Sequence, residues 1–475
     1  MSRTKILATL GPATDENVLR EMIRAGLNAV RCNFSHGTQE DHAKRIQMVR
    51  RLAKSEGSAI GVLADLQGPK IRVARFKDKE VRLVTGDKFI LDASMDLQAG
   101  DATKVGLTYK KLPEDVSKGD ILLLDDGKIT LEVTEVSGAC VTTIVKNGGK
   151  LSDNKGINKL GGGLTADALT EKDRSDIKAI GKLDVDYVAI SFPRDADDVR
   201  LAIKLLKEAG SKAGLIAKIE RAEALHCIDD IINASDGIMV ARGDLSVEIG
   251  KEEVPGVQKT LIKRARELDK IVITATQMME SMIYNSTPTN AEVSDVANAI
   301  LDGTDAVMLS AETATGNYPV KVIQAMRNIC IATERHPDTR YSEHRIAKEF
   351  QRIDEAIAMA TMYAANHLNV KAILSLTESG ASAVWMSRIN SHLPIFAFTR
   401  HVLTHNKMTL CRGVVPIEFD STTMPRFSVN QLAIDELKKR GFVQDGDLVI
   451  LTSGDHMGEH GGTNKIKVVK VGKVV

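Results

Sequence analysis

No charge of either sign dominates this 475-residue chain: 64 lysines and arginines stand against 63 aspartates and glutamates. The broad basic field of a nucleic-acid or membrane-surface binder is therefore missing, and any anion site has to be built locally. Zinc sites and disulfide frameworks lack their raw material too, because the five cysteines, Cys32, Cys140, Cys227, Cys330 and Cys411, show no CxxC or Cys/His spacing. Free thiols suit a reducing compartment. No apolar run approaches the ~18 residues of a membrane span, and the start, MSRTKILATLG, carries no apolar stretch followed by a cleavage site. A cytoplasmic protein without nucleic-acid or membrane partners is expected. Internal repeats and low-complexity segments are missing as well, and the single tryptophan, Trp385, and the sixteen methionines read as packing and core filler.

What is present begins with length, which is too great for one ordinary core and predicts two or three domains. Short apolar, β-branched runs occur at residues 5–9, 29–32, 60–65, 187–191, 215–219, 237–241, 271–275 and 306–309. Most are separated by stretches such as DENVLREMIRAG, EDHAKRIQMVRRLAK and VQKTLIKRARELDK, with apolar side chains on one face at helical spacing. Repeated β-α units of this kind predict an α/β fold, a (β/α)8 TIM barrel whose site lies at the strand ends. One connection breaks the rhythm: from residue 69 to 165 IRVARF, EVRLV, DKFILD, DILLLDDGKITLEVTEV and ACVTTIVK read as strands joined by Gly/Asp turns. This predicts a small all-β domain inserted after the third strand and placed to act as a lid. A third segment, 342–475, alternates helices near 354–368 and 429–440 with strands KAILSL, PIFAF and DLVILT, and predicts a C-terminal α/β domain. Residues 1–68 and 166–341 form the two parts of the barrel in this scheme.

The predicted strand ends are polar: RCNFSHG, ADLQGPKIR, AKIER, ARGDLS, TATQMMES and LSAET. Lys218 and Glu220, two apart on a strand, point to the same side. The ordinary alternative is a solvated ion pair, but GLIAKIE belongs to a strand covered on both faces, where charge is expensive. Asp244 in ARGD adds a second carboxylate, unless that segment is only a turn capping a helix. Two carboxylates with open positions suit Mg²⁺, with Mn²⁺ as the alternative ion. Arg31, Arg72 and Lys155 supply forks and point charges for phosphate, although each alone could be a surface charge. His36 reads equally well as a catalyst or as an ordinary histidine.

Taken in order, RCNFSHG, DLQGPKIR, NKGIN, AKIER, MVARGDL, ITATQMMESMI and DVANAILDGTDAVMLSAET resemble the motifs of pyruvate kinase along essentially the whole chain. The resemblance implies phosphoryl transfer from phosphoenolpyruvate to ADP, giving pyruvate and ATP. By that likeness Glu220 and Asp244 hold Mg²⁺, and Lys218 stabilises the phosphoryl group and the enolate. Arg31 binds the transferring phosphate; Asn33, His36, Arg72 and Lys155 serve the nucleotide. Gly243, Asp244 and Thr276 hold the substrate, and Thr276, Ser310 and Glu312 order the water that protonates the enolate. Many members bind K⁺ through Asn33, Ser35, Asp65 and a threonine where this chain has Leu66, with a glutamate at the position of Lys70. Both differences imply that the Lys70 ammonium replaces K⁺ and that K⁺ is not required. Ser246 stands where the family's RGDLG has its second glycine, and Asn290 where relatives use an arginine toward a neighbouring subunit. A homotetramer is implied by the same likeness. In TESGASA, Thr377, Ser379 and Ser382 resemble a loop that with SGDHMGEHGGTN binds a phosphorylated activator; with Ala381 in place of an arginine, AMP or a sugar monophosphate is expected. Two rivals differ in class: a Mg²⁺-dependent aldolase or lyase on the same barrel, told apart by ADP dependence, and a phosphometabolite sensor without turnover.

Overall fold

The computed structural model describes residues 2–340, 349–422, 424–425, 428–455 and 461–473. Eight parallel strands close into a barrel: β1 (Lys5–Thr9), β2 (Ala29–Asn33), β3 (Gly61–Asp65), β4 (Tyr187–Ile190), β5 (Gly214–Ile219), β6 (Gly237–Ala241), β7 (Ile271–Ala275) and β8 (Ala306–Leu309). The strands are apolar because both faces are covered, and β1, β3, β6 and β7 are buried at every position. Period-two alternation sorts their side chains. Ile6, Ala8, Val30, Val62 and Val240 pack outward with the surrounding helices, whereas Leu7, Ala29, Leu63, Ile216, Met239 and Ile273 belong to a different cluster inside the barrel. That inner cluster continues into the C-terminal domain through Met386, Met408 and Leu410. Barrel floor and C-terminal domain therefore share one apolar core.

The helices start where the sequence supplies caps. Asp15 accepts a hydrogen bond from the Val18 N–H ahead of helix Glu16–Ala25, and Thr38, Thr170 and Thr289 each open a helix with a reciprocal capping box. Helix Glu16–Ala25 stops at Gly26, whose φ of 116° is left-handed.

The segment between β3 and helix Glu171–Ile180 has a core of its own, running from Ile71 to Ala166. Its main sheet has the order Ile157–Lys159, Ile121–Leu124, Ile129–Ser137, Cys140–Asn147, Lys88–Asp92, Lys104–Gly106, and Glu80–Leu83 pairs separately with Gly149–Ser152. The hairpin read from LDDGK is formed, with Asp125, Asp126 and Gly127 all at positive φ. IRVARF departs from expectation: it makes only isolated bridges, Arg72 to Gly156, Val73 to Leu107 and Phe76 to Gly100. Alternation breaks at Val73 and Ala74, which are both buried, and the segment finds no continuous partner.

The C-terminal domain is a five-stranded sheet in the order Val414–Glu418, Ile395–Thr399, Ala372–Leu376, Leu448–Gly454, Thr463–Lys470, with the last strand antiparallel. The two outermost strands were not expected from sequence. VVPIE carries a proline, which an edge tolerates, and TNKIKVVK turns lysines outward along the opposite edge. The expected boundary at 341/342 and the middle of SGDHMGEHGGTN, residues 456–460, lie outside the described residues. No helix among the described residues is long and apolar enough to cross a membrane.

Candidate active site

The inward register of the barrel explains which strand-end residues meet. Leu7, Ala29, Leu63, Ala189 and Ile216 face inward. Two residues further along each strand come Thr9, Arg31, Asp65, Ser191 and Lys218, the same face one layer higher, where the barrel opens. There Arg31 Nε donates to Asp65 Oδ2 at 2.6 Å, and an Arg31 Nη donates to Thr9 Oγ1 at 3.1 Å. Lys218 Nζ lies 2.8 Å from Ser191 Oγ, 3.0 Å from Glu220 Oε1 and 3.4 Å from Asp65 Oδ1. Two cations thus flank one buried carboxylate, and a second carboxylate is shared with the lysine.

The charges in this cluster are set by burial first and by neighbours second. Burial disfavours the Lys218 ammonium, but Asp65 and then Glu220 outweigh it and keep its pKa above the ordinary lysine value. Burial likewise opposes ionised Asp65, yet Lys218 and Arg31 hold it below the usual carboxylate range. For Glu220 burial wins: aided by Asp244 and Asp65 and despite Lys218, its carboxyl is pushed up to about 7. A carboxylate that its lysine cannot keep fully ionised, with Asp244 near it, fits a hard divalent cation. Two protein carboxylates leave coordination positions for substrate oxygens.

Asp244 belongs to helix Arg242–Ile249, which begins directly after β6. The Gly243 N–H accordingly points into the site and donates to Thr276 Oγ1 at 2.9 Å. A methyl group on Gly243 would meet nothing nearer than the Thr276 hydroxyl at 3.5 Å, so the space beside it is open. Thr276 and Gln277 both adopt positive φ, 68° and 55°, a backbone costing about 1–3 kcal/mol per residue. Arg242 holds them there: its guanidinium donates to the carbonyls of Thr276 at 2.7 Å and Gln277 at 3.3 Å, and Asp295 clamps it at 2.7 and 2.8 Å.

The remaining sequence-predicted residues fall into separate groups. Lys70 Nζ pairs with Asp244 Oδ1 at 3.3 Å. Leu66 packs its side chain into the outer core, and its carbonyl accepts from Ser191 Oγ at 2.7 Å. Asn33 Oδ1 accepts from the Ser35 N–H at 3.2 Å. Arg72 and Lys155 lie together on the insert: Arg72 donates to the Asn154 carbonyl at 3.1 Å, and Lys155 pairs with Asp125 at 2.7 Å. His36 is exposed, and the buried histidine of that loop is His42, stacked on Phe34 at 4.1 Å. Ser310 and Glu312 are joined to each other. Glu312 accepts from the Ser310 N–H at 2.7 Å and the Met279 N–H at 3.2 Å, so its carboxylate shapes two loops.

Ser246 sits within helix Arg242–Ile249, outside the set of positive-φ residues, and donates to the Gly243 carbonyl at 2.8 Å. That position therefore makes no demand for a positive φ. Asn290 is the exposed first residue of helix Asn290–Asp302. In the C-terminal domain Thr377 Oγ1 accepts from the Gly380 N–H at 2.9 Å, and Ser382 Oγ shares a hydrogen bond with Thr463 Oγ1 at 2.7 Å. Gly380, not Ser379, occupies the cap position of helix Ala381–Ser387, and Ser379 accepts weakly from the Ala381 N–H at 3.3 Å. Thr377, Ser379, Ser382, Arg400 and Thr463 line one cleft.

A family model described as "Pyruvate kinase, barrel domain" matches residues 1–323, and "Pyruvate kinase, alpha/beta domain" matches residues 355–469. The chain is 55% identical over 476 residues to "Pyruvate kinase II" of Salmonella typhimurium, covering 99% of both chains. To "Pyruvate kinase" of Haemophilus influenzae it is 54% identical over 459 residues, 96% of each. To that of Geobacillus stearothermophilus it is 43% identical over 475 residues, 98% of this chain and 80% of the relative. The chain belongs to the pyruvate kinase family. As a pyruvate kinase family member it is an enzyme, a phosphotransferase on a TIM barrel with additional sheet domains.

Several contacts of this pyruvate kinase site escaped the sequence reading. Thr9 and Ser191 could have been found by carrying the period-two register one step past each strand. Arg242 and Glu248 could not, since their partners are remote in sequence. Glu248 is buried, and its carboxylate accepts from the Ala222 N–H at 2.8 Å. Burial raises its carboxyl from 4.5 to about 7, with Glu223 adding to the effect and Arg221 opposing it. The folded chain therefore holds this proton more tightly than the unfolded chain. The resulting stability is present below about pH 4.5 and lost as pH rises through about 7. Glu248→Gln cannot ionise, so its melting temperature relative to the native chain is expected to climb from about pH 5 to 7.5. A pH-independent difference between the two melts would refute the shift.

Proposed function

We propose that the chain transfers the phosphoryl group of phosphoenolpyruvate to ADP, giving pyruvate and ATP, the last step of glycolysis. The observation that carries this reading is the Lys218 ammonium, 11% exposed yet kept charged by Asp65 and Glu220 on the inner face of the barrel mouth. Such a cation needs no proton exchange to meet developing negative charge. Arg31, held by Asp65, receives the transferring phosphate beside it. Lys218 faces the phosphoryl group in flight and the enolate oxygen left when its bond to phosphorus breaks. The Gly243 N–H and the Thr276 hydroxyl, on a loop that Arg242 fixes, donate to the substrate carboxylate. Thr276 and Ser310 then order the water that protonates the enolate, with Glu312 fixing their loops. Asn33, His36, Arg72 and Lys155 serve the nucleotide, the last two carried by the insert as it closes.

Glu220 and Asp244 would hold Mg²⁺, with Mn²⁺ as substitute, which when bound supplies charge neutralisation for the phosphate oxygens. Lys70 adds positive charge beside Asp244, which supports activity without added K⁺. The cleft around Thr377, Ser379 and Ser382 supports activation by a phosphorylated effector, AMP or a sugar monophosphate. A cytoplasmic homotetramer completes the reading, and solution mass would check the assembly.

One assay tests these points together: pyruvate formation from phosphoenolpyruvate and ADP with Mg²⁺, in potassium-free buffer, then with K⁺, then with AMP or a sugar monophosphate. Turnover without K⁺ and stimulation by a phosphorylated effector are expected. A large acceleration by K⁺ would remove the role given to Lys70, indifference to both effectors would remove the regulatory cleft, and no turnover under any condition would remove the reaction itself.

A further inference from the structure

Glu248 stands where three parts of the molecule meet. It is the penultimate residue of the helix that presents Gly243 and Asp244, and only 5% of it is exposed. On the barrel side Oε2 accepts from the Ala222 N–H at 2.8 Å, two residues past Glu220. On the insert side Oε1 lies 3.5 Å from Asn158 Nδ2, and the Glu248 carbonyl accepts from the Gly161 N–H at 2.9 Å. Its neighbours fasten the same return segment. Glu223 accepts from the Gly163 N–H, and Arg221 donates to the carbonyls of Leu164 at 3.0 Å and Ala166 at 3.3 Å. The charged groups facing Glu248 are Glu223 and Arg221.

Lys155 is fixed within the insert. Strand Ile157–Lys159 pairs with Ile121–Leu124, and Asp125, next in the chain, holds Lys155 at 2.7 Å. Asn158 is three positions on from Lys155, about 10 Å of extended chain. Whatever sets Asn158 against the barrel therefore sets where the insert presents that lysine. We infer that Glu248 is a positioning residue for the nucleotide: it is an anchor on the barrel for the insert segment that carries Lys155.

The inference rests on the phosphoryl-transfer reading, and on Lys155 serving ADP. A buried carboxylate that meets a neutral amide across a domain joint is a costly group for mere packing. A displacement of about 1 Å at a positioning group can cost about a hundredfold in rate, so the lever from Glu248 to Lys155 has kinetic consequences without any contact to substrate.

Steady-state kinetics of the full chain, with ADP, phosphoenolpyruvate and Mg²⁺ varied separately, tests it. Glu248→Ala is expected to raise the KM for ADP about tenfold and to leave the phosphoenolpyruvate and Mg²⁺ constants within about twofold. Asn158→Ala should shift the KM for ADP in the same direction, and the double variant should fall short of the product of the two effects. Glu248→Gln, which keeps an acceptor for Ala222 and an NH2 that donates to the Asn158 Oδ1 once that amide turns over, should restore the native KM. An unchanged KM for ADP in folded Glu248→Ala overturns the inference. So does a parallel rise in all three constants, which would place the effect on Glu220 through Ala222. If Glu248→Ala does not fold, Asn158→Ala and Glu248→Gln decide by the same criterion. A native chain without turnover overturns the phosphoryl-transfer reading and this inference together, whereas turnover with an indifferent KM for ADP overturns the inference alone.

Discussion

Lys218→Ala should lower phosphoryl transfer by about 10²–10³-fold and still give a folded chain. The two halves of this expectation have separate physical grounds. On the proposed reaction, transfer falls because the enolate oxygen would lose the charged donor that Ser191, Asp65 and Glu220 hold in place at 2.8, 3.4 and 3.0 Å. Folding survives because neither carboxylate is stranded. Asp65 keeps the Arg31 guanidinium at 2.6 Å. Glu220, already at about 7 with the lysine present, rises further and takes up a proton. The measurements are turnover of phosphoenolpyruvate with ADP, and a thermal melt of the same sample. Unchanged turnover would strip the lysine of its role; a chain that fails to fold would show that its ion pairs are structural first.

The largest effect on stability is expected at the barrel floor. The Asp305 and Arg388 side chains are each 1% exposed and form a two-pronged ion pair between the start of β8 and the C-terminal domain. Asp305 also accepts from the backbone N–H groups of Val272 and Arg412, both at 3.0 Å. Arg266 and Arg412 crowd the same region, and burial followed by those like charges pushes Arg266 down to about 9. Asp305→Ala removes the carboxylate that pairs with the buried Arg388, and a loss of about 3–5 kcal/mol is expected. Arg388→Met should cost less, because Asp305 keeps its two backbone donors and faces other cations. Denaturant midpoints of both variants check the order. Equal midpoints for Asp305→Ala and the native chain would refute the argument.

The barrel was legible because its strands are short apolar runs and its helices carry caps, both local signals. The site was legible for a related reason: Arg31, Asp65 and Lys218 are charges placed one inward step past an apolar layer. What sequence did not disclose depends on remote partners. IRVARF has the apolar residues of a strand yet finds no ladder. VVPIE gave no sign of the neighbour it pairs with. Lys70 reaches Asp244 across 174 positions of chain, so spacing could not say which carboxylate it would meet. Glu248 gave no signal either, being one more acid on a short helix until the insert folds against it.

The shared floor of the barrel has a consequence for how this architecture can be rearranged. Leu7, Tyr187 and Met239 of the barrel are sealed by Met386, Met408 and Leu410, so the C-terminal domain acts as the stopper of the vessel whose mouth performs the chemistry. It cannot be exchanged as a cassette by matching linkers alone. A graft from another member would have to bring side chains that fit the underside of this particular barrel, and an acceptor for the Arg388 guanidinium has to be waiting there. Exchange of that domain is thereby tied to the fit of a buried floor at the opposite end of the barrel from the polar strand ends.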